Sequence, residues 1–321
     1  MDPILLLDKI IHDPLHFTVE EKEYLIRQPD SFDLFGELRA LIRRIFDINE
    51  RTLLQQSDAT TGMLGKLNKF SYNYRIKKYY KLIKDPNFDR KNNDHKVIVA
   101  EGDSWFNFPW FVTDIVDWLT CRNPHYAIYC IAYGGDWLAN MIYDGKYVEE
   151  LSVHKPDAFL LSGGGNDLVG SNRIAIMVDR KADFIKFANL QDIPEIPGEP
   201  MPGYTLTAED KNQILAAQPF INKEFYSFLL VLELQYRKII RSINRKYKDM
   251  MILTQGYDFA IPSYKCKFSF RYPMEYFLNK SMTGKWLIQP LRIKGIYDSY
   301  IQRSIIKTMI YELNMMLTQL A

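Results

Sequence analysis

Four short apolar runs, each broken by glycine, constrain this chain more than anything else in it. Val97-Ile98-Val99-Ala100 stops at Gly102, and Tyr126-Ala-Ile-Tyr-Cys-Ile-Ala132 stops at Gly134. Ala158-Phe-Leu-Leu161 stops at Gly163, and Met250-Met-Ile-Leu253 stops at Gly256. Runs of this length, rich in β-branched and aromatic residues and without polar alternation, are strands buried on both faces, as in a parallel sheet. Helical patterns separate them, so the order strand, helix, strand, helix, strand predicts a parallel, doubly wound sheet with right-handed crossovers. If the strands are parallel, every glycine turn falls at the same sheet edge, the carboxyl edge, where open α/β sheets bind ligands.

The composition allows such a fold. Of 321 residues 47% are hydrophobic and 14% aromatic, enough for a large core, and the net charge of +2 provides no field to draw the chain to nucleic acid. Three cysteines, Cys121, Cys130 and Cys266, form neither a CxxC pair nor an even set, which suits a reducing compartment. The apolar start, Ile4-Leu-Leu-Leu7, is too short for a signal peptide and has no basic leader, and no stretch reaches the ~20 apolar residues of a membrane span. A cytoplasmic protein with no membrane span is expected, and oligomeric state is unreadable.

Residues 1–94 read as a helical amino-terminal region. Thr18-Val-Glu-Glu21 is a capping box opening a helix that ends near Pro29. Phe32, Leu34, Phe35, Leu38, Leu41, Ile42 and Ile45 recur at helical spacing behind it. From Gly62 to Ile83 lysines and arginine interleave with Tyr72, Tyr74, Tyr79 and Tyr80; this is either a solvated helix whose tyrosines pack inward or a nucleic-acid grip. The packed helix is preferred, and no nucleic-acid partner is expected. Asp85-Pro86-Asn87 and the polar run to Lys96 mark the boundary to an α/β domain over 95–321.

Within that domain Ser104 ends the first turn, as a nucleophile or as a helix N-cap. Gly102-Asp103-Ser104 resembles the first block of the SGNH hydrolases, the GDSL-type esterases and lipases, with Trp105 where leucine is commoner. Gly134-Gly135-Asp136 is similar to their glycine block, and Gly164-Gly165-Asn166-Asp167 to their third block. The resemblance covers Lys96 to Asp258, about half the chain. It implies a three-layer, flavodoxin-like α/β fold and hydrolysis of a carboxylic ester through an acyl-Ser104 intermediate, with no metal and no cofactor. In that reading the N–H groups of Ser104 and Gly135 and the Asn166 side chain receive the oxyanion, while Gly102, Asp103, Gly134, Gly165 and Asp167 support the turns. The substrate would be a small-molecule ester of lipid, aryl or acetylated-carbohydrate type. A helix expected to begin near Pro109 carries Trp110, Phe111 and Trp118, and with Trp105, Phe106 and Phe108 before it makes an aromatic rim that is either an acyl pocket or ordinary packing.

The general base is missing from the pattern. The family's Asp-x-x-His block follows a fifth strand, whereas the histidines here are His12, His16, His95, His125 and His154. The last three precede strands and so belong at the opposite sheet edge, about 15 to 20 Å from Ser104. Either the chain stops at Ala321 short of a tail that carries the block, or it is a pseudo-hydrolase that binds an ester or glycan without cleaving it. A third reading takes the strand, glycine turn and helix of Leu160 to Val169 as a phosphate or nucleotide cradle, although neither Gly-x-Gly-x-x-Gly nor a Walker lysine is present.

Downstream, a second helix is expected from Trp137 to about Glu150. A proline-rich insertion over about 170–218 reads as a lid or a surface loop. A long amphipathic helix, Phe225 to Lys248, follows, and a final helix covers Gly295 to Leu320.

Overall fold

The computed structural model describes residues 1–48, 62–91, 94–108, 113–169, 173–182, 184–196, 205–262 and 287–320. In chain order its helices are α1 (Pro3–His12), α2 (Val19–Ile26), α3 (Leu34–Phe46), α4 (Gly62–Ile83), α5 (Ile115–Arg122), α6 (Leu138–Asp144) and α7 (Lys146–His154). They continue with α8 (Gly165–Val169), α9 (Ile174–Met177), α10 (Ala208–Ala217), α11 (Lys223–Lys246), α12 (Ile288–Ile293) and α13 (Ser299–Thr318). The strands are β1 (Lys96–Glu101), β2 (Tyr126–Cys130), β3 (Ala158–Leu161) and β4 (Met251–Thr254). No helix of the described residues is long and apolar enough to cross a membrane.

The chain forms two compact units. One contains Glu50–Asp167 and Ile240–Gln255, the other Met1–Asn49, Leu168–Ile239 and Gly256–Ala321. The first is built on a four-stranded, all-parallel sheet in the order β2-β1-β3-β4, flanked by helices. Ile98 pairs with Ile128 on one side and Ala158 on the other, so β1 is central. Its uninterrupted apolar sequence follows from this position. Ile98, Ala100, Ile128, Cys130 and Leu160 pack on one face against Phe106 and Val116, while Val97, Val99, Phe159 and Leu161 are buried on the other. The chain moves from β1 outward to β2 and then back across to β3, which makes the gap between the ends of β1 and β3 the switch point of the sheet. At the edge, β4 alternates, with Met251 59% and Leu253 45% exposed, so it behaves as a half-covered strand.

The second unit is helical. Thr18 and Glu21 form the expected capping box, but α2 ends at Ile26. Asp33 caps α3, whose buried stripe includes Leu34, Leu38, Leu41, Ile42 and Ile45. The described part of the insertion is folded. Ile174, Met177 and Val178 are buried, and α10 opens with its own capping box at Thr207 and Asp210 and packs on α13. Phe187, Ile193, Leu206 and Ile214 join Tyr311 and Met315 in a core cluster, so this segment is part of a hydrophobic core. Most of the proline run, 197–204, lies outside the described residues.

Two helices near the sheet depart from expectation. The helix after β1 starts at Ile115 with Asp114 as N-cap, because the Asp114 side chain accepts the amide of Asp117 at 3.0 Å. Trp110 and Phe111 lie outside the described residues. The helix after β2 breaks at Gly145, which takes φ 58° and divides it into α6 and α7.

Candidate active site

The turn after β1 is shaped by what touches Gly102. A Cβ there would lie 2.8 Å from the Ser162 Cβ, 2.9 Å from a Phe106 ring carbon and 2.9 Å from the Ser162 carbonyl oxygen. The first turn therefore presses directly on the third. A Gly102→Ala change is expected to destabilise the sheet unit by about 1–3 kcal/mol, measured as a lower urea midpoint at unchanged slope.

Asp103, 1% exposed, holds this turn closed. Its Oδ1 accepts the Trp105 amide and the Ser162 hydroxyl, both at 3.1 Å, and its carbonyl accepts the amides of Phe106 and Asn107 at 3.1 Å. Ser104 sits between, partly buried, followed by Trp105 at 41% exposure. Of the expected aromatic rim, Trp105, Phe108 and Trp118 are exposed, while Phe106 is in the core.

The second and third turns meet the first through hydrogen bonds. The Tyr133 amide donates to the Gly102 carbonyl at 3.0 Å. Gly135 and Gly164 take φ of 90° and 104°, conformations that side chains rarely adopt. Asn166 Nδ2 donates to the Asp136 carbonyl at 3.0 Å. Asp167 Oδ2 accepts the Gly164 amide at 3.2 Å and the Leu138 amide at 2.9 Å, so it caps α6 from the neighbouring turn. Gln255, just past β4, donates to the Ser162 hydroxyl at 3.0 Å. All three glycine turns picked from the sequence thus stand on one rim of the sheet and are hydrogen-bonded to each other.

Sequence reasoning missed what supports this rim. Asn68, Ser71 and Arg75 lie along one face of α4, and all three are buried. Asn68 makes a paired contact with Gly134, donating to its carbonyl at 3.0 Å and accepting its amide at 3.1 Å. The Ser71 hydroxyl donates to Asn107 Oδ1 at 2.6 Å, and Asn107 Nδ2 passes the link to the Ala132 carbonyl at 2.7 Å. Arg75 donates to the Phe106 carbonyl and pairs with Asp114 at 2.5 Å and Asp117 at 3.1 Å. The signal was present as polar residues at i, i+3 and i+7 within a helix dominated by lysine and tyrosine.

Two carboxyls lie together beneath the rim, Glu101 buried and Asp136 half-buried. Glu101, 4% exposed at the end of β1, accepts the Gly102 amide at 3.0 Å, and burial, reinforced by Asp136, pushes its pKa far above the usual carboxylate range. Burial pushes Asp136 up to about 7, against hydrogen bonds from the Trp137 amide at 2.8 Å and Asn140 at 3.1 Å. Lys146 lies over the Tyr72 ring at 4.4 Å, and Tyr72 stacks on Tyr133.

The histidines of this unit are engaged elsewhere. His95 and His125 stack 4.6 Å apart where β1 and β2 begin. His154 closes α7, with Nδ1 2.8 Å from the Tyr79 hydroxyl and Nε2 3.2 Å from Glu150; burial lowers its pKa while Glu150 opposes the shift. His12 and His16, in the helical unit, pair with Asp8 and Asp13 on their own segment. Comparison with known proteins finds no family model, curated protein or solved structure that matches this chain.

Proposed function

We propose that the rim is the ester-cleaving site of an SGNH-type hydrolase with a three-layer, doubly wound fold. Ser104 attacks the ester carbonyl as an external base takes its proton, the N–H groups of Ser104 and Gly135 with the Asn166 side-chain amide receive the oxyanion, the alcohol leaves with a proton as acyl-Ser104 forms, and water then releases the carboxylic acid and restores the serine. The observation that carries this reading is the hydrogen-bonded meeting of the three glycine turns at the switch point between β1 and β3. Asp103 and Asp167 are already occupied with backbone amides and hold the turns. The substrate is a neutral ester of lipid, aryl or acetylated-carbohydrate type, and Trp105 and Phe108 offer it exposed apolar surface.

A second reading, reversible ester or glycan binding without cleavage, is favoured by one specific observation. All five histidines are described, and each is engaged in ring stacking or in a pair with an acidic or tyrosine side chain. Hydrolysis of a p-nitrophenyl ester with added imidazole separates the two. A cleaving site shows an imidazole-stimulated rate that disappears in Ser104→Ala and falls about 100-fold or more in Asn166→Ala. Rates in Ser104→Ala equal to those of the unaltered chain, at every imidazole concentration, would end the nucleophile reading.

A further inference from the structure

The lysine- and tyrosine-rich helix α4 has a second face that the rim does not use. Its buried side meets β2 and the rim loops through Asn68, Ser71, Arg75 and Tyr79. On the other side Lys66, Lys69, Lys77 and Lys81, with Lys84 just past the helix, return to one stripe at helical spacing, and all five are exposed. The stripe is about 27 Å long at the rise of an α-helix. No aspartate or glutamate occurs from Gly62 to Lys84, and among the described residues none of the five lysines is held in an ion pair. Two carboxylates beside the helix are engaged already: Asp85 accepts the Asn87 amide at 2.9 Å, and Asp117 pairs with Arg75 at 3.1 Å.

Aromatic rings stand among the lysines. Phe70 is 52%, Tyr74 61% and Tyr80 41% exposed, and of the four tyrosines only Tyr79 is buried. Like charges at i, i+3 and i, i+4, as in Lys66 with Lys69 and Lys77 with Lys81, weaken a helix, and exposed rings leave apolar area in water. Both features are unfavourable in the free chain and favourable against a surface that is anionic outside and apolar just beneath.

Two polyanions match the charge, a nucleic acid and an acidic lipid surface. Single strands are held in a groove, with arginine and stacked aromatics; this face is the outer side of one helix, and the only arginine of α4, Arg75, is buried against Asp114. A straight row of lysines with a phenylalanine and tyrosines fits a plane instead. We infer that the exposed face of α4 docks flat on an anionic lipid bilayer, its ammonium groups at the headgroups and Phe70 and Tyr74 at the edge of the acyl layer. The inference stands on this face alone and does not depend on ester cleavage at the rim.

The test is cosedimentation of the full chain with sucrose-loaded vesicles of phosphatidylcholine containing about a third phosphatidylserine, beside vesicles of phosphatidylcholine alone and a labelled oligothymidylate. The anionic vesicles should bind the chain, and neutral vesicles, or anionic ones in about 0.5 M salt, should hold little of it. Each lysine near such a surface is worth about fivefold in affinity, so the triple variant Lys69→Gln, Lys77→Gln, Lys81→Gln should bind about 100-fold more weakly. Removing three exposed cations at the end of α11, as Arg245→Gln, Lys246→Gln, Lys248→Gln, should cost less than about threefold, because charges far from the contact are screened. Phe70→Ala should weaken binding about fivefold. The glutamines replace exposed residues and relieve repulsion; should that variant nonetheless fail to fold, the salt dependence of the unaltered chain keeps the test decisive. No binding to anionic vesicles, equal binding to both kinds of vesicle, equal losses in the two triple variants, unchanged affinity in Phe70→Ala, or tighter binding of the oligothymidylate than of the anionic vesicles would overturn the inference.

Discussion

Replacing Arg75 with methionine should destabilise the sheet unit by about 3–5 kcal/mol, in the range found when one partner of a buried ion pair is removed. The Arg75 side chain is 7% exposed and that of Asp114 2% exposed, so neither charge can turn to water when the other is lost. Burial already raises the Asp114 pKa, and Arg75 is the main force opposing it. Without the guanidinium, the Asp114 carboxylate is left in a dry site, and the Phe106 carbonyl keeps only the weak Cys130 thiol donor at 3.6 Å. The deficit should grow as pH rises and Asp114 ionises. In the double variant Arg75→Met with Asp114→Asn, at least half of the loss should return. Asparagine keeps an oxygen to cap α5 but carries no charge to bury. Urea unfolding followed by circular dichroism measures each step. A single-variant loss below about 1 kcal/mol would show that the clamp contributes only as an exposed pair does.

Asp136→Asn should have the opposite sign, and its effect depends on pH. The folded pKa of Asp136, about 7, lies above its ordinary value of 3.8, so the folded state holds the proton more tightly than the unfolded chain. That contribution is fully present below the ordinary value and is lost as pH rises through about 7. The gap between the two values sets a ceiling of about 4 kcal/mol, and relaxation around an ionised carboxyl should reduce it to roughly 2–4 kcal/mol. Asparagine can keep its oxygen on the Trp137 amide while removing the proton equilibrium and the repulsion from Asp167 and Asp144. The variant should therefore match the unaltered chain near pH 4 and exceed it in stability above pH 7. Glu101 remains in both proteins, so the difference isolates Asp136. Parallel pH profiles for the two proteins would show that the Asp136 carboxyl does not titrate there.

These two residues also show where sequence reading stops. The parallel sheet was legible because strands buried on both faces, such as Val97 to Ala100, leave an unbroken apolar run, and a parallel arrangement must bring their glycine turns to one rim. Gly102, Gly135 and Gly164 were legible for the same local reason, since close contact or positive φ excludes a side chain. The helix boundaries were harder. Asp114 is an ordinary cap in sequence, and only the fold shows that it also receives a guanidinium from a helix 39 positions away in the chain. Arg75 was hidden among lysines that face outward, such as Lys77 and Lys78, and its burial depends on β2 lying beside α4. Asp136 read as part of a glycine block, and nothing local announces that three other carboxyls, Glu101, Asp144 and Asp167, surround it. Long-range burial and charge set both cases, and spacing along the chain records neither.

The row of Asn68, Ser71 and Arg75 gives α4 a role beyond packing. One helix grips the loops that follow both β1 and β2, at Asn107, Phe106 and Gly134. Anything that tilts or releases that helix acts on both loops at once, like a single latch on two doors. Ser104 and Gly135, 31 positions apart in the chain and set on the loops after different strands, are thereby tied to the same lever, and their alignment is inherited from a helix that precedes both strands.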